Sequence, residues 1–296
     1  MRSASELSAR VQLTPEELAG AERSERQGFP FGITPYYLSL VDPLDAACPI
    51  RRQVVPHRLE GETTRGDLVD PLGEEAHEVA PDLVQRYPDR ALVLATDRCA
   101  VYCRFCTRSR MVGGGSGTRS LEHLGPAFDY LAAHPEIRDV IVSGGDPLTL
   151  ATERLVQVVA GLRAIESIET IRLATRVPVV LPQRITGELL RALAPLHPLW
   201  VMTHFNHPKE LTPIACRGLE RLANAGFPVM NQTVLLRGVN DDAGVLAELF
   251  RGLVRVRARP YYLLQADPAR GTGHLRTPIA AGVAIMEQLW GRLSGI

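Results

Sequence analysis

From residue 91 onward the chain alternates between two kinds of hydrophobic pattern. Short runs rich in aliphatic and β-branched residues predict strands: ALVLATD (91–97), DVIVSGGD (139–146), TIRLATR (170–176), WVMTHFN (200–206), PVMNQTVLLRG (228–238) and RPYYLLQAD (259–267). The segments LEHLGPAFDYLAAH, TERLVQVVAGLRAIE, TGELLRALAPL, TPIACRGLERLANAG, DAGVLAELFRGLVRVR and TPIAAGVAIMEQLWGRL place apolar residues three and four apart, which predicts helices. Several of them start at Thr or Ser, as N-caps do. A strand followed by a helix, six times over at about 30 residues per unit, predicts a parallel sheet with right-handed crossovers. A doubly wound sheet and an incomplete barrel both satisfy this pattern.

Residues 1–88 read differently, with turn formers at Pro30, Gly32, Pro35, Pro43, Pro49 and Pro56 and few periodic runs. One exception is TPEELAGAERSE, where Thr14 and Glu17 have capping-box spacing. The chain therefore divides into an N-terminal extension, 1–88, and a βα unit, 89–296, with a glycine-rich stretch at 113–117 expected to be an exposed loop.

Composition narrows the function classes. With 45% apolar and 22% charged residues over 296 positions, the chain can bury a large core. Lys+Arg 33 against Asp+Glu 33 leaves no net charge to attract nucleic acid or an anionic membrane face. Lys209 is the only lysine, so any mechanism needing a side-chain amine has one candidate. The N-terminus lacks an apolar signal core and no window reaches membrane-span length, so a cytoplasmic protein is expected. Three of the five cysteines fall within eight residues, a spacing suited to metal or redox work rather than to a disulfide framework.

Those three, Cys99, Cys103 and Cys106, follow the first strand as C-x3-C-x2-C. Three thiolates on one loop can hold three irons of a cubane cluster and leave the fourth iron open; a zinc knuckle and buried free thiols are the alternatives. At the end of the second strand, Gly144 and Gly145 allow close backbone approach to a ligand, and Asp146 could bind an ammonium group. An ordinary strand-to-helix turn fits that segment equally well. Polar residues gather at the C-terminal ends of all six runs, where parallel α/β folds build their sites.

The cysteine loop and the Gly-Gly-Asp element together resemble the radical S-adenosylmethionine superfamily. Seven blocks in order extend the resemblance to the lysine 2,3-aminomutase family: ITPYYLSLVDP, QRYPDRALVLATDRCAVYCRFCTRSR, DVIVSGGDPL, TRVPVVLPQRIT, THFNHPKE, NQTVLLRGVND, and RPYYLLQAD with HLRTP. The resemblance implies a partial (βα)6 TIM-like barrel in which Cys99, Cys103 and Cys106 ligate a [4Fe-4S] cluster. It implies that Gly144, Gly145, Asp146, Thr175, Gln183, His204 and Asn206 line the S-adenosylmethionine pocket. Arg86 and Arg90 match arginines that hold the phosphate of pyridoxal phosphate, though as sequence they also read as surface arginines flanking a turn. Arg108 matches the arginine for the substrate α-carboxylate. Asp241 matches an acid for the lysine ammonium, and alone it reads as a helix N-cap.

The implied activity is migration of an amino group between Cα and Cβ of an amino acid, lysine foremost, after a 5′-deoxyadenosyl radical has taken a hydrogen. A reductant such as flavodoxin or ferredoxin is the implied partner, with no nucleic acid, no membrane and an open oligomeric state. One departure matters: the family's PGGGGK lysine, which carries pyridoxal phosphate, has no counterpart here. A radical core with altered or lost mutase activity, or a non-catalytic iron–sulfur protein, therefore stands beside the first reading.

Overall fold

The strand runs close into one eight-stranded sheet in the order β1 to β8. The computed structural model describes residues 1–26, 29–113 and 117–293; positions 114–116 of the glycine-rich stretch lie outside them. The parallel part comprises β3 (Arg90–Thr96), β4 (Asp139–Gly144), β5 (Thr170–Ala174), β6 (Leu199–Thr203), β7 (Val229–Leu235) and β8 (Ala258–Gln265). Each is followed by a helix: Leu121–Ala133, Thr152–Arg163, Gly187–Leu193, Pro213–Asn224, Ala243–Arg255 and Ile279–Leu289. This is the expected partial (βα)6 barrel, left open between its edges. Strands β3 to β7 alternate or run buried, while β8 is largely exposed, and the buried Val, Ile and Leu side chains form one continuous core with the inner helix faces.

Local capping agrees with the sequence. Ser120, Thr186 and Thr212 accept hydrogen bonds from backbone N–H groups of the first turns of their helices. Asp242, not Asp241, caps Ala243–Arg255. Thr14 and Glu17 form the reciprocal capping box, at 3.2 and 2.8 Å.

Two strands go beyond the six that the pattern predicts. β1 (Glu78–Ala80) and β2 (Leu83–Tyr87) form an antiparallel hairpin, and β2 pairs antiparallel with β3. Both are short and carry exposed residues, so neither shows a clear period of two. The sheet thus runs without a break across position 88. On the far side of the opening, Leu68 bridges to Ala269 just after β8, so the extension spans the gap between the sheet edges.

Within the extension itself, a buried guanidinium joins separate segments. Arg51 is fully enclosed and holds Glu17 through Nε and Nη2, at 2.8 and 2.5 Å. Its remaining N–H groups go to the carbonyls of Gln12, Asp42 and Pro43. Arg51→Leu would strand the Glu17 carboxylate in the interior. A loss of about 3–5 kcal/mol is expected in denaturant unfolding. The paired change Arg51→Leu with Glu17→Leu should restore most of it.

Candidate active site

The cysteine loop leaves the C-terminal end of β3 and is tied to the extension by its backbone. The N–H of Tyr102 donates to Gly32 O at 3.1 Å, and that of Arg104 to Gln53 O at 2.9 Å. The buried Arg104 side chain adds Glu60, Pro30 O and Phe29 O, and its guanidinium lies 4.6 Å above the Phe29 ring. Cys99, Cys103 and Cys106 are part-buried free thiols at this rim.

The first turn of the loop lies directly on the glycine pair. Gly145 N donates to Thr96 O at 2.6 Å and Asp146 N to Arg98 O at 2.8 Å. A Cβ on Gly144 would stand 2.3 Å from Thr96 O, and one on Gly145 2.3 Å from Arg98 O; Gly144 also has φ +110°. No side chain fits at either position. The glycines thus let the cysteine loop seat against the end of β4.

Asp146 is a clamp between strands. One carboxylate oxygen accepts from Leu148 N and the Thr175 hydroxyl, and the other from Arg176 N and Val177 N, at 2.6 to 3.1 Å. Four donors on two oxygens join the ends of β4 and β5. Thr175 spends its hydroxyl on the same clamp, while Asn206 donates to Gln53 Oε1 and accepts from Val234 N. Gln183 sits exposed on the turn Pro182–Arg184. Gln232 on β7, which the motif reading passes over, is the glutamine that hydrogen-bonds His204. Burial, reinforced by Arg176 and Arg108, lowers the His204 pKa to about 4 and keeps the ring neutral.

A buried network unread in the sequence completes the rim. The Arg176 guanidinium donates to Cys103 Sγ at 2.8 Å, Gln53 Oε1 at 2.6 Å, Glu210 Oε1 at 2.9 Å, Tyr37 OH at 3.1 Å and His204 O at 3.2 Å. Tyr37 OH in turn donates to Glu210 at 2.5 Å, and Glu210 accepts from Asn206 N and His207 N.

Arg108 donates through Nε to Glu74 at 2.7 Å and through Nη1 to Ser143 Oγ at 3.2 Å; its Nη2 has no hydrogen bond among the described residues. Asp241 is bound to Gly238 N at 2.8 Å. Asp267, just past β8, is half-buried; its backbone carbonyl accepts from Ala269 N at 2.8 Å and Thr272 Oγ1 at 3.4 Å, while its carboxylate has no hydrogen-bond partner among the described residues. Burial pushes its pKa up against the pull of Arg86.

The donor set fits a cubane cluster. Each sulfur lies within electrostatic reach of the others, since Cys99 is raised by Cys106 and Cys103, and Cys106 by Cys103. Yet among the described residues no three His, Cys, Asp or Glu side chains converge closely enough for a single ion. Burial pushes the Cys106 thiol up to about 11, so metal binding here must displace protons.

Pyridoxal phosphate fits only in part. Arg86 lies exposed on β2, donating to Leu72 O at 3.2 Å, and Arg90 opens β3, paired with Asp89 and stacked 5.0 Å over Tyr87. These guanidiniums suit a phosphate dianion. The sole lysine, Lys209, is exposed on the turn Pro208–Glu210 near Asp42 and His207. The described residues bring no lysine amine to Arg86 and Arg90.

The chain matches the model of the Radical SAM superfamily over residues 93–250. It is 47% identical over 290 residues to the L-lysine 2,3-aminomutase of Clostridium subterminale, covering 98% of this chain and 70% of that protein. Against the L-lysine 2,3-aminomutase of Fusobacterium nucleatum subsp. nucleatum the identity is 45% over 295 residues, 100% of this chain and 69% of the relative. The glutamate 2,3-aminomutase of Clostridioides difficile is 41% identical over 290 residues, 98% of this chain and 68% of that enzyme.

Two predictions follow from the geometry. Gly145→Ala should displace the cysteine loop, costing about 1–3 kcal/mol as an overpacked contact. A lowered melting temperature, with reduced iron content after anaerobic reconstitution, checks it. The second concerns acid. His204 and His274 both have folded pKa values of about 4, below the 6.5 of a free imidazole; His274 is held down by burial, then by His57 and three arginines. As pH falls from 6.5 toward 4, the unfolded chain binds protons that the fold does not, so stability is full above 6.5 and lost on acidification. At pH 5 each histidine should cost up to about 2 kcal/mol. Denaturant midpoints at pH 7 and 5 test this, and His274→Gln should narrow the difference between them.

Proposed function

The chain belongs to the lysine 2,3-aminomutase family of the radical S-adenosylmethionine superfamily, and we propose that its amino-acid substrate is lysine. As a radical S-adenosylmethionine aminomutase it is an isomerase that uses a [4Fe-4S] cluster and S-adenosylmethionine. Together these supply, when bound and reduced, a radical able to take hydrogen from an unactivated carbon. The protein's part is to seat the cluster, present the substrate and keep the site dry.

The observation that carries the reading is the seating of the Cys99–Cys106 loop on Gly144 and Gly145 at the C-terminal rim. Cys99, Cys103 and Cys106 are the cluster ligands in this proposal. In this proposal the neutral His204, bonded by Gln232, and the end of β4 contact S-adenosylmethionine. Arg108 takes the substrate carboxylate on the outward edge of its guanidinium, which Glu74 orients by binding Nε.

The far end of the substrate decides between lysine and glutamate. A side-chain ammonium needs a carboxylate and a second carboxylate would be repelled. Asp267 has the freer carboxylate of the two acids, because Asp241 is exposed and already bound to Gly238 N. Its unpaired carboxylate favours lysine over glutamate. Free thiols and an oxidisable cluster suit a reducing, cytoplasmic setting with flavodoxin or ferredoxin as electron donor. Among the described residues no helix is long and apolar enough to cross a membrane.

Anaerobic reconstitution with iron and sulfide, then addition of dithionite, S-adenosylmethionine, pyridoxal phosphate and either amino acid, tests the proposal by mass spectrometry. 5′-Deoxyadenosine and β-lysine are expected, with neither from Cys103→Ala. β-Glutamate in place of β-lysine would overturn the substrate assignment. 5′-Deoxyadenosine without any β-amino acid would confine the chain's chemistry to cofactor cleavage.

A further inference from the structure

Arg176 carries a buried charge whose hydrogen-bond partners are all protein groups. It follows β5, and its backbone N–H is held by Asp146 Oδ2 at 2.7 Å, which fixes the residue at the junction of β4 and β5. The side chain is buried, so its guanidinium binds protein groups rather than water.

The two ends of the fork face different partners. Nη2 is surrounded by Tyr37 OH, Gln53 Oε1 and Glu210 Oε1, and Nε is held by His204 O. These four acceptors come from the extension and from the segment after β6. A planar guanidinium held at Nε and Nη2 has no freedom left in the direction of Nη1. That direction ends on Cys103 Sγ, at 2.8 Å. The same guanidinium lies 5.1 Å from the ring centroid of Phe105, between Cys103 and Cys106, so it touches the loop twice.

Hydrogen bonds to the sulfurs are among the determinants of an iron–sulfur cluster's potential. Reduction of a [4Fe-4S] centre from 2+ to 1+ adds one electron from an external low-potential donor, with no bond made or broken. A full positive charge bonded to one ligand sulfur, in a buried setting, stabilises the more negative state more than the oxidised one. We infer that Arg176 is a positioning residue that aims a fixed charge at Cys103 and raises the potential of the cluster. Glu210, fully buried on the opposite nitrogen, sets how much of that charge the cluster feels. The N-terminal extension takes part in electron uptake through Tyr37 and Gln53, although it holds no ligand. This inference rests on the cluster assignment to Cys99, Cys103 and Cys106.

The test compares wild type, the charge-neutral double change Arg176→Gln with Glu210→Gln, and Glu210→Gln alone. Each is reconstituted anaerobically, its iron and sulfide are counted, and it is titrated by electron paramagnetic resonance at controlled potential without S-adenosylmethionine. The double variant should become at least tenfold harder to reduce, a downward midpoint shift of about 59 mV or more for one electron. Glu210→Gln, which leaves the guanidinium uncompensated, should shift the midpoint upward. A loosened loop would not give opposite signs. An unchanged or raised midpoint in the double variant, or an unchanged or lowered one in Glu210→Gln, overturns the inference. Should the double variant fail to load, the sign of the Glu210→Gln shift decides by itself. A wild-type protein that binds no cluster would instead refute the cluster assignment.

Discussion

Two charges sealed in the interior, on Arg176 and Glu210, can exist there only together. Removing one partner of such a pair leaves a stranded charge, a loss of about 3–5 kcal/mol. Five acceptors complete the arginine, and five hydrogen bonds complete the carboxylate. They come from Tyr37 and Gln53 in the extension, Cys103 in the loop after β3, and the segment after β6. None of these is a neighbour of Arg176 in sequence. The pair is satisfied only when the extension, the cysteine loop and the strand ends are all in place, so forming the site and completing the fold are one event.

The same economy governs the sheet rim. Asp146 joins β4 to β5 with four hydrogen bonds, and the backbone just before it carries the cysteine loop at a distance no side chain tolerates. Motif reasoning assigns this acid to a ligand's ammonium group. In the fold its oxygens face protein donors, and what it does is hold in register the two strand ends on which the loop rests. The distinction is physical: a carboxylate with four protein donors has little capacity left for a fifth.

The legible part of the molecule was the part written locally. β3 to β7 carry continuous or alternating aliphatic runs, and the caps at Ser120, Thr186 and Thr212 lie beside the N–H groups they satisfy. The hairpin β1–β2 escaped because three- and five-residue strands with exposed positions leave no period to read. The Arg176 network escaped for a different reason. Tyr37 is 139 positions from Arg176 and Gln53 is 123, and burial created by such contacts has no signature in either segment. Gln183 and Gln232 show the limit in miniature, since both sit in quoted blocks and only the fold tells which one reaches His204.

Arg108, proposed to meet the substrate carboxylate, is built into the rim in the same way. Its Nε side is taken by Glu74, a nearly buried carboxylate delivered by the extension, whose second oxygen is shared with Arg110. Its Nη1 is steadied by Ser143 on β4, the residue before the glycine pair. An arginine held on one side by an anion keeps its charge partly balanced while empty, which lowers the cost of enclosing it in the rim. Because Nη2 has no hydrogen bond among the described residues, the proposed substrate carboxylate could bind there without evicting Glu74. It then meets a fork already oriented, so little side-chain entropy is lost on binding. If Arg108 takes the substrate carboxylate as proposed, Glu74 shares in that recognition by orienting it, and the extension supplies Glu74.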